Sequence, residues 1–78
     1  MAEQRHVTFD SDSGNWRVVA PDAERASAVA DTQAAAIDRA REILTNQGGG
    51  ELVIHRPSGQ IRGKDTVPPG HDPFPPRG

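Results

Sequence analysis

The chain has no cysteine, and aromatic residues are scarce, with one tryptophan and two phenylalanines among 78 residues. Without cysteine there is no disulfide framework, no thiolate metal site and no thiol nucleophile. Long apolar runs are missing too. The opening Met-Ala-Glu-Gln-Arg-His lacks the apolar stretch of a secretory signal, and nothing approaches the ~20 apolar residues that a membrane span needs. These absences predict a soluble, cytoplasmic protein with no membrane partner. The formal charge of −2 supplies no global attraction to nucleic acid or anionic lipid, which leaves only a local patch for such binding.

What is present fits one domain with a modest core. The larger apolar residues away from the ends are Val7, Phe9, Trp16, Val18, Val19, Val29, Ile37, Ile43, Leu44, Leu52, Val53, Ile54 and Ile61. Full burial of one such side chain stabilises by roughly 1.5–3 kcal/mol, against an ordering entropy of similar total size. Self-association would add to that margin.

Alternation at Val7 and Phe9, then the polar cluster Asp10-Ser-Asp-Ser-Gly14, predicts a strand and a turn. Asn15 to Ala20 continues as a second strand, with Trp16 and Val18 on one face and Arg17 and Val19 on the other. Pro21 and Asp22 break it, and Arg25 to Ala30 reads as an edge strand. Thr32 is placed to cap a helix over Gln33 to Gln47, whose apolar stripe is Ala36, Ile37, Ala40, Ile43 and Leu44. Gly48 supplies the left-handed residue past its end. Glu51 to His55 and Gln60 to Lys64, joined by Arg56-Pro-Ser-Gly59, form a second hairpin. The expected fold is therefore α+β, in the order ββ(β)αββ, with one amphipathic helix on a small antiparallel sheet. Residues 1–5 form a flexible N-terminus, 6–64 the domain, and 65–78 a Pro/Gly-rich tail of polyproline-like, mobile character.

Trp16-Arg-Val, Asp31-Thr-Gln33 leading into Ala36-Ile37 and Ala40-Arg-Glu-Ile43, and Glu51-Leu-Val-Ile-His55 together resemble a bacterial domain-of-unknown-function family, number 2188. The likeness extends through Gly59-Gln-Ile-Arg62, Lys64-Asp-Thr66 and Asp72-Pro-Phe-Pro-Pro-Arg-Gly78. It implies no activity, cofactor or catalytic residue, because the family has none assigned. It does imply that the proline-rich ending is a family feature, from which Val67-Pro-Pro69 departs where a Ser-Tyr-Gly type of stretch is expected.

The chemical motifs are weak individually. Asp10-Ser-Asp12-Ser-Gly14 begins like a calcium loop, but Gly14 stands at the third side-chain ligand and Pro21 where the bidentate Glu belongs, so a hairpin turn explains it. His6, His55 and His71 would need three segments to converge on a metal. Ser11, Ser13, Ser27 and Ser58 lack a nucleophile-elbow context. Gly48-Gly-Gly50 follows a helix, whereas phosphate loops precede one. Pro73-Phe-Pro-Pro76 has the bare spacing of a polyproline ligand. No catalytic residue, metal or cofactor is expected, and an enzyme reading would require a cleft joining His55 to a carboxylate such as Asp65.

The alternation assigns sheet faces. If Val7, Phe9, Trp16, Val18, Leu52, Ile54 and Ile61 face the helix, the other face shows His6, Thr8, Arg17, Val19, Val53, His55, Gln60, Arg62 and Lys64, with no acidic residue. Solvated polar residues covering an open sheet are the simplest account. The functional expectation is a non-enzymatic interaction module. It self-associates or binds a protein partner through this face or the sheet edge, with His6, Arg17, Val19, Val53, His55, Arg62 and Lys64 as its interaction residues. The alternative is weak nucleic-acid binding through Arg17, Arg62 and Lys64, without exposed aromatics to stack on bases.

Overall fold

The computed structural model describes residues 3–23 and 25–68. In chain order the elements are β1 (Glu3–Asp10), β2 (Asn15–Val19), β3 (Ala26–Ala30), α1 (Gln33–Asn46), β4 (Gly50–His55) and β5 (Ile61–Val67). The strands form one five-stranded sheet in the order β3-β2-β1-β4-β5, with α1 against one face.

The first hairpin is built by its own turn residues. Asp10 Oδ1 accepts from the Asp12 amide at 3.1 Å and Oδ2 accepts from the Ser13 hydroxyl at 3.0 Å. Gly14, at φ 77°, donates its amide to the Asp10 carbonyl. Both carboxylate oxygens are thus used by the turn, and these hydrogen bonds hold the Asp10 carboxyl below its usual range, the Ser13 hydroxyl contributing most. β2 then pairs antiparallel with β3, the expected edge strand.

Thr32 caps α1 as anticipated, its hydroxyl accepting from the Ala35 amide at 3.1 Å. At the other end the Gly49 amide donates to the Leu44 carbonyl at 2.7 Å, and Gly48 takes φ 95°. Ala36, Ala40 and Leu44 are buried, with Ile37 and Ile43 half-buried beside them. The alanines let the helix lie close over Val7, Val18, Leu52 and Val67, which complete the core. Phe9 and Trp16 are register partners, with ring centroids 5.1 Å apart at 57°.

The chain between β3 and β4 is a helical crossover, and it delivers β4 alongside β1 in parallel, not antiparallel, orientation. The sheet is consequently mixed, which corrects the all-antiparallel expectation. The same pairing lengthens the strands. Glu3 meets Gly50, so β1 starts within the segment expected to be a flexible N-terminus. Val67 also meets Gly50, so β5 runs into the segment expected to be tail. The rest of the Pro/Gly-rich segment, residues 69–78, lies outside the described residues. Gly50 sits between both neighbours, and a Cβ there would fall 2.2 Å from the Glu3 carbonyl oxygen.

Arg5 alternates with Val7 on the helix side of β1 and retains only 9% exposure. Its guanidinium Nη1 donates to Glu3 Oε1 at 2.9 Å and to the Gln4 carbonyl at 2.8 Å, while Nε has no partner among the described residues. Ile61 is the opposite surprise. A register shift between Ile54 and His55 pairs Ile61 with His55 and leaves it 53% exposed, so it does not face the helix.

Candidate functional site

The face opposite α1 is assembled by register. One row runs from Val19 on β2 through His6 on β1 and Val53 on β4 to Lys64 on β5. A second joins Val29 on β3, Arg17 on β2 and Thr8 on β1. A third joins Gln4, Glu51 and Thr66. Val53 belongs to this face but is 1% exposed, walled by these neighbours. Val29 is 58% exposed.

Parallel pairing sets His6 opposite Val53, which puts His55, two residues on, at the diagonal position on the same face. The two imidazoles meet there. His6 Nδ1 and His55 Nε2 are 2.8 Å apart, and the ring centroids are 5.0 Å apart with 28° between planes. Rings at that centroid separation with nitrogens so close face each other end-on, along the N–H···N line. The proton's direction follows from the next contact, His55 Nδ1 to the Gly59 carbonyl oxygen at 2.9 Å. A carbonyl only accepts, so His55 Nδ1 carries the proton and its Nε2 holds a lone pair. His6 Nδ1 is therefore the donor, and neutral His6 keeps its lone pair on Nε2. Burial, and then the positive charges available at His55 and Lys64, push the His6 pKa below the ordinary imidazole value.

A concavity of about 440 Å³ opens at this pair, lined by His6, Thr8, Val19, Ala20, Pro21 and His55. It combines apolar walls from the end of β2 with two imidazoles and a hydroxyl from the sheet, the mixed lining of small-molecule sites. His6 Nε2 and the Thr8 hydroxyl have no hydrogen-bond partner among the described residues, and neither is a buried unpartnered atom. Both are reachable from solvent.

Of the residues expected on this face, His6, Val19, Val53, His55 and Lys64 come together, with Arg17 beside Thr8. Arg62 does not join them. It is the extra residue of the β5 irregularity, and its guanidinium donates at 2.6 Å to Gln33 Oε1 at the start of α1. Gln33 in turn donates to the His55 carbonyl at 3.2 Å. The face also carries acids that the sequence reading did not place there. Glu51 accepts from the Thr66 hydroxyl at 2.9 Å, and Asp10 lies at the end of β1 on the same side as Thr8. Asp65 stands on the helix side, opposite Leu52, and forms an ion pair with Arg41. It does not approach His55. Ser11, Ser13 and Ser58 lie in turns and Ser27 on the β3 edge, while Gly48–Gly50 join α1 to β4. His71 and Pro73 to Pro76 lie outside the described residues. No group of three or more His, Asp or Glu side chains converges among the described residues.

The contact between His6 and His55 was missed because neither helical spacing nor chain proximity connects positions on β1 and β4. Only the parallel register does so. Its sequence trace is slight: each histidine sits at an outward position of a strand.

The molecule is thus a small α+β domain with one helix on a mixed five-stranded sheet and a polar, histidine-bearing open face. The chain belongs to the family described as an uncharacterized protein conserved in bacteria, DUF2188, whose model matches residues 5–67. That span runs from Arg5 to the last residue of β5. No curated protein and no solved structure matches the chain. No helix among the described residues is long and apolar enough to cross a membrane.

Proposed function

We propose that this chain is a non-enzymatic interaction module whose open sheet face seats against a second copy of itself. The observation that carries this reading is the position of Val29 and Ile61. They are the exposed large hydrophobic residues of the described chain, and both lie on the face opposite the helix. Val29 on β3 and Ile61 on β5 flank the open face at its two edges, and exposed apolar side chains gain free energy by being covered. The same face mixes Arg17 and Lys64 with Asp10 and Glu51, and a two-fold axis lets each sign meet the other.

Sedimentation equilibrium over a concentration series tests the proposal. A monomer–dimer equilibrium is expected, with the dissociation constant raised at least tenfold, roughly 1.4 kcal/mol, by Ile61→Asp or Val29→Asp. A strict monomer at millimolar concentration overturns the self-association.

A further inference from the structure

The concavity beside the His6–His55 pair has its own chemistry, and it is open to solvent in the single chain. We propose that it binds a small aliphatic monocarboxylate, with the carboxylate held by His6 Nε2–H and the Thr8 hydroxyl and the alkyl part against Val19, Ala20 and Pro21. The Thr8 hydroxyl, and Nε2–H once His6 is protonated, are two donors on one strand face, both without a partner among the described residues, and they match the two oxygens of one carboxylate. The volume, about 440 Å³, falls in the range of small-ligand sites.

The proton inventory points to an anion. The chain from His6 through His55 to the Gly59 carbonyl is unidirectional, and it accommodates one added proton without changing any hydrogen bond: the proton enters at His6 Nε2. Protonating His55 instead would set two N–H groups against each other across 2.8 Å. The pair is therefore a single-proton device whose added charge appears at the cavity wall. A divalent metal bridging the facing nitrogens is disfavoured, because their end-on approach leaves no point at which both lone pairs converge.

The surrounding charges agree. Facing His6 are Asp10 and Thr8 on β1, Arg17 on β2, Glu51 and His55 on β4, and Lys64 on β5, with exposed Asp22 in the loop after β2. β3 contributes no charge, and α1 lies on the other side. Asp10 is occupied by its turn and Glu51 by Thr66, whereas Arg17 and Lys64 make no ion pair among the described residues. Once His6 takes its proton, the three cations His6, Arg17 and Lys64 balance the three carboxylates Asp10, Asp22 and Glu51, and the groups without an ion-pair partner that meet an incoming carboxylate are the cations His6, Arg17 and Lys64. Binding requires an ionised ligand and a protonated His6, so affinity peaks in mildly acidic solution. It falls about tenfold per pH unit above the His6 midpoint, and falls again below about 4.3, where carboxyl groups of this type protonate.

The test is a titration of the full chain with sodium isobutyrate, against sodium chloride at equal ionic strength, followed by NMR of the imidazole nitrogens and backbone amides. The expected result is a saturable shift at His6, Thr8 and Val19, with the His6 midpoint rising by at least half a pH unit at saturation. Thr8→Val, a near-isosteric change on an open face, is expected to weaken binding about tenfold, and His6→Gln to abolish the fall in affinity with rising pH. Three results overturn the proposal. They are no saturable shift beyond that of chloride, a shift unchanged by both variants while the amide spectrum shows them folded, or stoichiometric perturbation of both histidines by zinc chloride with none by isobutyrate.

Discussion

Gly50 shows how much one hydrogen atom in place of a side chain decides in this molecule. It stands where β4 is sandwiched between β1 and β5, and a methyl group there would penetrate the Glu3 carbonyl. Gly50→Ala is expected to cost about 1–3 kcal/mol by forcing β1 away, measured by urea denaturation. Gly63→Ala, with nothing within 4 Å of the added carbon, serves as the comparison and should lie within about 0.5 kcal/mol of the parent. Arg5 presents a different balance. Its buried guanidinium is incompletely satisfied, so Arg5→Met, which retains the aliphatic bulk, is expected to leave stability unchanged or raise it by about 1 kcal/mol. His6 sets a pH dependence. Its pKa is lowered on folding, chiefly by burial, so the unfolded chain binds more protons in the window just below the ordinary imidazole value of 6.5. The stability contribution of neutral His6 is present above 6.5 and is lost as pH falls through that window. Thermal melts at pH 7.5 and 5 should show a lower Tm at pH 5, and His6→Gln should narrow the difference.

At the scale of elements, α1 depends on its cap and its buried stripe in unequal measure. Thr32→Ala removes the acceptor of the Ala35 amide and is expected to cost about 1 kcal/mol. Leu44→Ala empties a fully buried site at the centre of the core and is expected to cost about 2–5 kcal/mol, both read from denaturation midpoints. The exposed pairs Arg39 with Glu42 and Arg41 with Asp65 contribute little by comparison, since their side chains are about half exposed to screening solvent. The two edge strands are guarded unequally. β5 carries Arg62, Lys64 and Asp65, whereas β3 reads Ala-Ser-Ala-Val-Ala, without charge or proline. A second copy approaching the open face meets β3 at one margin, where Val29 is exposed.

On the scale of the whole molecule, the helix and the open face divide the work. α1 covers one side of the sheet with small residues and closes the core, and the other side presents Val29, Ile61 and the histidine cavity. The carboxylate cavity lies on the strands between Val29 and Ile61, so a dimer seated on this face covers it, and the two proposals separate by protein concentration. Val29→Asp should disrupt the dimer and keep the isobutyrate response, whereas Thr8→Val should weaken that response in protein diluted to the monomer, read by sedimentation and NMR on the same samples.

Local chemistry alone determined the Asp10 turn, the Thr32 cap, the alanine-lined stripe and the β3 edge, because each depends on residues within a few positions of one another. Membership of the family was legible in the same way, from short motifs spread along the chain. The order of strands was not. The parallel pairing of β1 with β4 joins segments more than forty residues apart, and neither strand's alternation distinguishes parallel from antiparallel neighbours. From that pairing follow the strand status of Glu3 to Arg5, the burial of Arg5, and the meeting of His6 with His55. The irregularity at Ile54 and His55 then sent Ile61 outward and Arg62 to Gln33, against a strict two-residue period. Sequence periodicity assigns a face only while the register is unbroken, and long-range packing alone decides where it breaks.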